Sequence, residues 1–226
     1  MPTREHPGEP AVRKLARDPA SRRRFLTMVG GTGAAGALSL FIAACGDDDG
    51  SGSMPKTTPS GTASAANDLK IANYALTLEY LEADFYKQVV ASGVIKDKKI
   101  AALAQKFGAS EQAHVDALKA LILKSGGKPV AAPKTNFHDV LDGGPDKVLQ
   151  TAADVENLGA AAYLGQAANI ASPEVLAAAL SIHTVEGRHA AALNSVLGKS
   201  VTPDGAFAKP APMDKVLAAV QPFLAS

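Results

Sequence analysis

The chain has 226 residues, 46% of them hydrophobic and 20% charged, enough for one good core or two small ones. Net charge is +1, but residues 1–24 hold seven Lys or Arg against three acids, leaving −3 for the rest. That rest carries no basic stripe, which excludes nucleic acid as a partner, and the single cysteine, Cys45, excludes an intramolecular disulfide and a cysteine-based metal cluster.

The first 66 residues read as address and tether. Ser21-Arg-Arg-Arg-Phe-Leu-Thr27 precedes an uncharged stretch from Phe25 to Ala44 that ends Phe41-Ile-Ala-Ala-Cys45-Gly46. A basic head, an apolar stretch and small residues before a break are the parts of an export signal. Ser21, Arg22, Arg23, Phe25 and Leu26 resemble a twin-arginine signal. The stretch after them resembles a lipobox, with Ile42 where Leu is usual and Cys45 as the lipidated first residue of the mature protein. An uncleaved anchor helix is the alternative, since about 20 residues span a bilayer, but Gly30, Gly31, Gly33 and Gly36 weaken it. Both readings place the main domain outside the cytoplasm and on the membrane, at the periplasmic or outer surface of the cell envelope. Residues 46–66 lack a hydrophobic period and read as a flexible linker whose Asp47, Asp48 and Asp49 keep it solvated.

From Asn67 the pattern turns helical, in keeping with abundant Ala, only 5% aromatic residues and no Trp. Asn67 or Asp68 is expected to cap a first helix ending at Ser92 before Gly93. A second is expected from Asp97 to Lys124, weakened or bent at Gly108 and ended by Gly126-Gly127. Residues 128–144, with Pro129 and Pro133, form a long connection that could cross a bundle. A third helix is expected from about Pro145 to Ile170. A fourth has Ser172 as cap and Pro173 at its first position and ends at Leu197-Gly198. A short fifth runs from about Ala211 to Val220. Three shorter connections and one longer one fit an all-α antiparallel four-helix bundle over residues 67–198, with residues 199–226 as a loop and short helix.

The second helix contains Glu111-Gln-Ala-His114 and the fourth Glu186-Gly-Arg-His189. Residues three apart share a helix face, so each pair presents a carboxylate and an imidazole to one point. The first and third helices offer Glu79 and Glu156. Four carboxylates neutralise two divalent cations and can bridge them, while two imidazoles complete the ions. Oxygen and nitrogen donors without thiolate suit iron or manganese; zinc is also compatible. Tyr86 and Tyr163 each follow a glutamate, Glu79 and Glu156, by seven residues, two turns or about 10 Å along the axis. There a phenol can hydrogen-bond a ligand carboxylate or donate an electron, or simply pack. Glu82, three after Glu79, could replace or supplement it. His183, three before Glu186, is either a neighbour of the site or a further nitrogen ligand.

Thr77 to Tyr86, Glu111 to Leu118 with Gly126-Gly127, Glu156, and Glu186 with His189 resemble the helices of ferritin-like proteins. The second Glu-x-x-His departs from ferritin itself and is similar to rubrerythrin, bacterioferritin and dimanganese catalase. Among these the chain looks most like bacterial ferritin-like proteins related to desiccation-associated ones. The resemblance implies a two-metal carboxylate site and a stress-linked role without fixing an activity; the first reading of that site is an oxidoreductase acting on peroxide or dioxygen, peroxide-dismuting or ferroxidase-type. It leaves the electron donor open and allows a homodimer. Two alternatives stand beside it: metal sequestration without turnover, and a metal-free interaction module.

Overall fold

A computed structural model describes residues 64–225. The expected export signal over residues 1–45, its lipidation candidate Cys45 and nearly all of the linker lie outside the described residues. The helices are α1 (Ala65–Ser92), α2 (Lys98–Lys124), α3 (His138–Asp142), α4 (Gly144–Ala167), α5 (Pro173–Val196) and α6 (Met213–Val220), followed by a 3₁₀ turn at Gln221–Phe223. Among the described residues the only β-type pairing is an isolated bridge, Thr135 to Leu224. The expected all-α bundle of four long helices is the fold, with α3 as an addition in the crossover.

Helix ends follow local chemistry. The Asp97 carboxylate accepts from the backbone N–H groups of Lys99 and Ile100, at 2.8 and 3.1 Å, and so opens α2. Ser172 caps α5, with Pro173 next to it. Gly93 and Gly126, at φ +60° and +76°, adopt the left-handed turn that ends α1 and α2.

Three boundaries correct the sequence reading. Helix α1 begins at Ala65, and its cap is Ser64, whose Oγ accepts from Asn67 N–H at 3.2 Å. Asp68, expected as a cap, is 4% exposed and accepts from the N–H groups of Ala171 and Ser172 instead, each at 2.8 Å. Two orphan donors at the start of α5 thus take the carboxylate that local capping would have used. Helix α4 stops at Ala167, short of Ile170. Helix α6 starts at Met213, because the Ala211 N–H is drawn to the Ala161 carbonyl of α4 at 2.9 Å. Helix α2 runs continuously through Gly108. A Cβ there would stand 2.9 Å from Tyr86 Cβ, so the glycine admits the close approach of α1.

Helices α1 and α2 form one hairpin, α4 and α5 the other, and α1 packs on α4. The chain after α2 runs back along α1. Gly127 meets Leu69, Val130 N–H donates to Asn73 Oδ1 at 2.7 Å, Thr135 Oγ1 donates to Asp84 Oδ2 at 2.5 Å, and the rings of Phe137 and Phe85 lie 5.0 Å apart. This crossover makes α2 and α4 parallel.

Two apolar clusters fill the bundle. One gathers Phe85, Val89, Phe107, Phe137 and Val148. The other gathers Ile71, Leu76, Val115, Leu118 and Ile122. Helix α6 lays Val216 and Val220, 0% and 2% exposed, into the first cluster beside Leu78, Leu81 and Val155. Burying a valine contributes about 1.5–3 kcal/mol. Among the described residues no helix is long and apolar enough to cross a membrane.

Candidate metal centre

Between the apolar clusters lies a polar one. Glu79 on α1, Glu111 on α2, Glu156 on α4 and Glu186 on α5 are all 0% exposed, while His114 is 9% and His189 7% exposed. Each long helix turns at least one acid inward, and the i,i+3 spacing on α2 and α5 adds an imidazole to the same face. Glu79, Glu111, His114 and Glu186 each place one donor atom within 4.8 Å of the others. Glu111, Glu156, Glu186 and His189 do the same. The two sets share Glu111 and Glu186, so they are neighbouring halves of one centre, each half with its own imidazole and its own acid.

Both imidazoles point Nδ1 inward. His114 Nδ1 lies 2.8 Å from Glu111 Oε2, 3.1 Å from Glu79 Oε2 and 3.3 Å from Glu186 Oε1. His189 Nδ1 lies 2.8 Å from Glu111 Oε1 and 3.3 Å from Glu156 Oε2. The His189 approaches are close but not aligned as hydrogen bonds. His189 Nδ1, Glu111 Oε1, Glu156 Oε2 and both Glu186 oxygens are buried with no hydrogen-bond partner. Orphan buried acceptors cost about 1–3 kcal/mol each, more when charged. Lone pairs converging on common points are what a pair of cations satisfies, so this donor set fits two divalent metal ions.

The tyrosines are crossed. Tyr86 on α1 donates to Glu156 Oε1 on α4, and Tyr163 on α4 donates to Glu79 Oε1 on α1, both at 2.5 Å. Because α1 and α4 are antiparallel, each phenol overshoots its own helix's glutamate and meets the one opposite. The phenols fix one oxygen of each outer acid and leave the other facing inward.

Charge in the cluster is held by burial and by neighbours. Burial, with the surrounding acids, pushes Glu82 and Glu186 well above the usual carboxylate range. Burial also brings Glu79 up to about 7, partly offset by His114 and Tyr163. At Glu111 burial acts upward too, yet the two imidazoles outweigh it and bring the group down to about 2. Burial works to lower His114 and His189, but the carboxylates around them prevail, to about 12 and about 9. Burial first, and then Glu156 and Glu79, raise Tyr86 and Tyr163.

The two further candidates separate. Glu82 is 2% exposed and borders the cluster but belongs to neither donor set. His183 is part-buried outside both sets, its Nδ1–H donating to the Ala160 carbonyl at 2.9 Å. Two residues of the centre were not singled out as such from the sequence. Phe107 stacks on His189, ring centroids 3.8 Å apart, and fixes the imidazole plane. Gly159, one turn after Glu156, leaves space that the carboxylates of Glu82 and Glu186 occupy. A lone glycine inside a helical pattern was the available signal; Phe107 reads as ordinary core.

A family model described as a ferritin-like domain matches residues 67–199, more than half of the chain. No curated protein matches it.

Proposed function

The chain belongs to the ferritin-like domain family, and from that premise we propose that it is a dimetal-carboxylate redox protein of the cell envelope. The observation that carries this reading is the sharing of Glu111 and Glu186 between two buried Glu/His sets. Glu79 and His114 would hold one ion and Glu156 and His189 the other, with Glu111 and Glu186, common to both sets, available to either. When bound, an iron or manganese pair supplies the electron chemistry that reduces dioxygen or dismutes peroxide. The protein's own part is to hold six donors in a water-poor interior and to keep Glu79 and Glu156 in register through the Tyr163 and Tyr86 hydroxyls. The same two phenols, each one hydrogen bond from a ligand, are the groups through which an electron or proton would reach the centre.

The N-terminal segment extends the proposal: export on a twin-arginine signal, with lipidation at Cys45 tethering the bundle to the membrane. Export of an already folded chain suits a centre loaded in the cytoplasm. Dimerisation through an exposed helix face is compatible with this arrangement.

The test is catalytic. The full chain, loaded with manganese or with iron, is assayed for peroxide consumption and for oxidation of Fe²⁺ by dioxygen, beside a Glu111→Ala/His114→Ala variant. Turnover by the wild type and not by the variant is expected. A loaded wild type inert in both assays would overturn the redox reading and leave sequestration, for which the near-complete burial of all six donors is the favouring observation.

A further inference from the structure

The two halves of the centre repeat each other with one break. Glu79 and Tyr86 on α1 correspond to Glu156 and Tyr163 on α4, and Glu111 with His114 corresponds to Glu186 with His189. Three residues after Glu79 stands Glu82; three after Glu156 stands Gly159. These counterparts meet. A Cβ on Gly159 would lie 3.0 Å from Glu82 Oε1 and 2.8 Å from Glu186 Oε2. Residues that exchange under a two-fold relation, and also touch, lie beside its axis. The Glu82 carboxylate therefore shares the Gly159 notch, on the α1–α4 side, with Glu186, an acid common to both donor sets. A side chain on both counterparts would collide there, and the glycine is what admits one.

Glu82 has no other task on view. It is 2% exposed, and among the described residues no Lys, Arg or His forms an ion pair with it. On its far side, under α6, is a cavity of about 10 Å³ lined by Leu78, Leu81, Val216 and Val220 among others. That is room for roughly one water at most. On its near side Glu186 Oε2 enters the same notch, buried and without a hydrogen-bond partner.

We propose that Glu82 is a fifth carboxylate of the metal centre, closing the pair from the α1–α4 side, and that Gly159 is the seat that admits it. The inference rests on the dimetal reading above. Four carboxylates balance two divalent ions; the fifth supplies the negative charge that a pair oxidised beyond the divalent state requires, and it makes a two-fold donor set one-sided.

The test is metal affinity. The metal-free full chain is titrated with Co²⁺ against a competing chelator. Glu82→Gln is expected to bind on the order of tenfold or more weakly. Glu82→Gly is expected to show the same loss. The double variant Glu82→Gly/Gly159→Glu moves the carboxylate to the counterpart position and is expected to regain most of it. Wild-type affinity in Glu82→Gln, or a double variant binding no tighter than Glu82→Gly, would overturn the proposal. Should Glu82→Gln fail to fold, the swapped variant decides, since it keeps the carboxylate count. A wild-type chain that binds no Co²⁺ overturns the dimetal reading instead, so the two failures are distinguishable.

Discussion

Tyr163 and Tyr86 show how single side chains set the state of the centre. Each phenol satisfies one oxygen of an outer glutamate that would otherwise be a buried orphan. Tyr163→Phe removes the donor to Glu79 and is expected to cost about 1–3 kcal/mol, read as a lowered denaturation midpoint with the same m-value. The titrating groups make a second prediction. In the metal-free chain Glu79 moves from 4.5 up to about 7, and His114 and His189 move from 6.5 up to about 12 and about 9. Each folded value is above the unfolded one, so the folded chain binds more protons than the unfolded chain between 4.5 and about 9. Stability of the metal-free protein therefore rises as pH falls through that window. Glu111, brought from 4.5 down to about 2, reverses the sense only below 4.5. Metal binding expels these protons, so metal affinity falls over the same interval. Thermal unfolding of chelated protein and Co²⁺ titrations, both across pH about 6 to about 8, check the opposed signs; parallel trends would contradict them. Glu111, His114, Glu186 and His189 were legible in the sequence because Glu-x-x-His occurs twice and i,i+3 spacing fixes a common face, and Glu156 as the mid-helix acid of its helix. Spacing alone could not separate Glu79 from Glu82, which share that face, nor turn Gly159 into a seat, since that depends on which side chain arrives from α1.

At the scale of elements, the helices were readable wherever caps and stops are local. Asp97, Ser172, Gly93 and Gly126 act on residues within a turn of themselves. The reading failed where a distant partner competes. Asp68 has the composition of a cap at the start of α1, yet serves two N–H groups at the start of α5, more than a hundred positions away. Asp68→Ala leaves both donors unmatched in a part-buried turn and is expected to destabilise the bundle by about 1–3 kcal/mol. Amide exchange checks the cause: Ala171 and Ser172 should lose protection before the centre of α5 does. The crossover was expected from its length and prolines. Its short helix α3 was not, because five residues carry too little periodicity to be seen.

Across the whole molecule, the part beyond the ferritin-like match is tied into the bundle. Residues after 199 return to the core: Ala211 N–H bonds the Ala161 carbonyl, Asn136 N–H bonds the Phe223 carbonyl at 2.8 Å, and Val216 is fully buried. Gly165 permits this approach, since a Cβ there would collide with the Ala211 backbone. Gly165→Ala is expected to lift the tail, read as faster proteolytic cleavage between residues 199 and 211 with the helical content retained. Helical spacing of apolar residues pointed to the bundle, whereas the seating of the tail depends on a glycine whose partner lies far along the chain.

Counting metal is the sharpest check on the two-ion centre. The full chain, purified without chelator and passed through gel filtration, should carry about two iron or manganese ions per chain, and the Glu111→Ala/His114→Ala variant should carry none while remaining helical. A folded wild-type chain that holds no metal even after anaerobic reconstitution would contradict the two-ion centre.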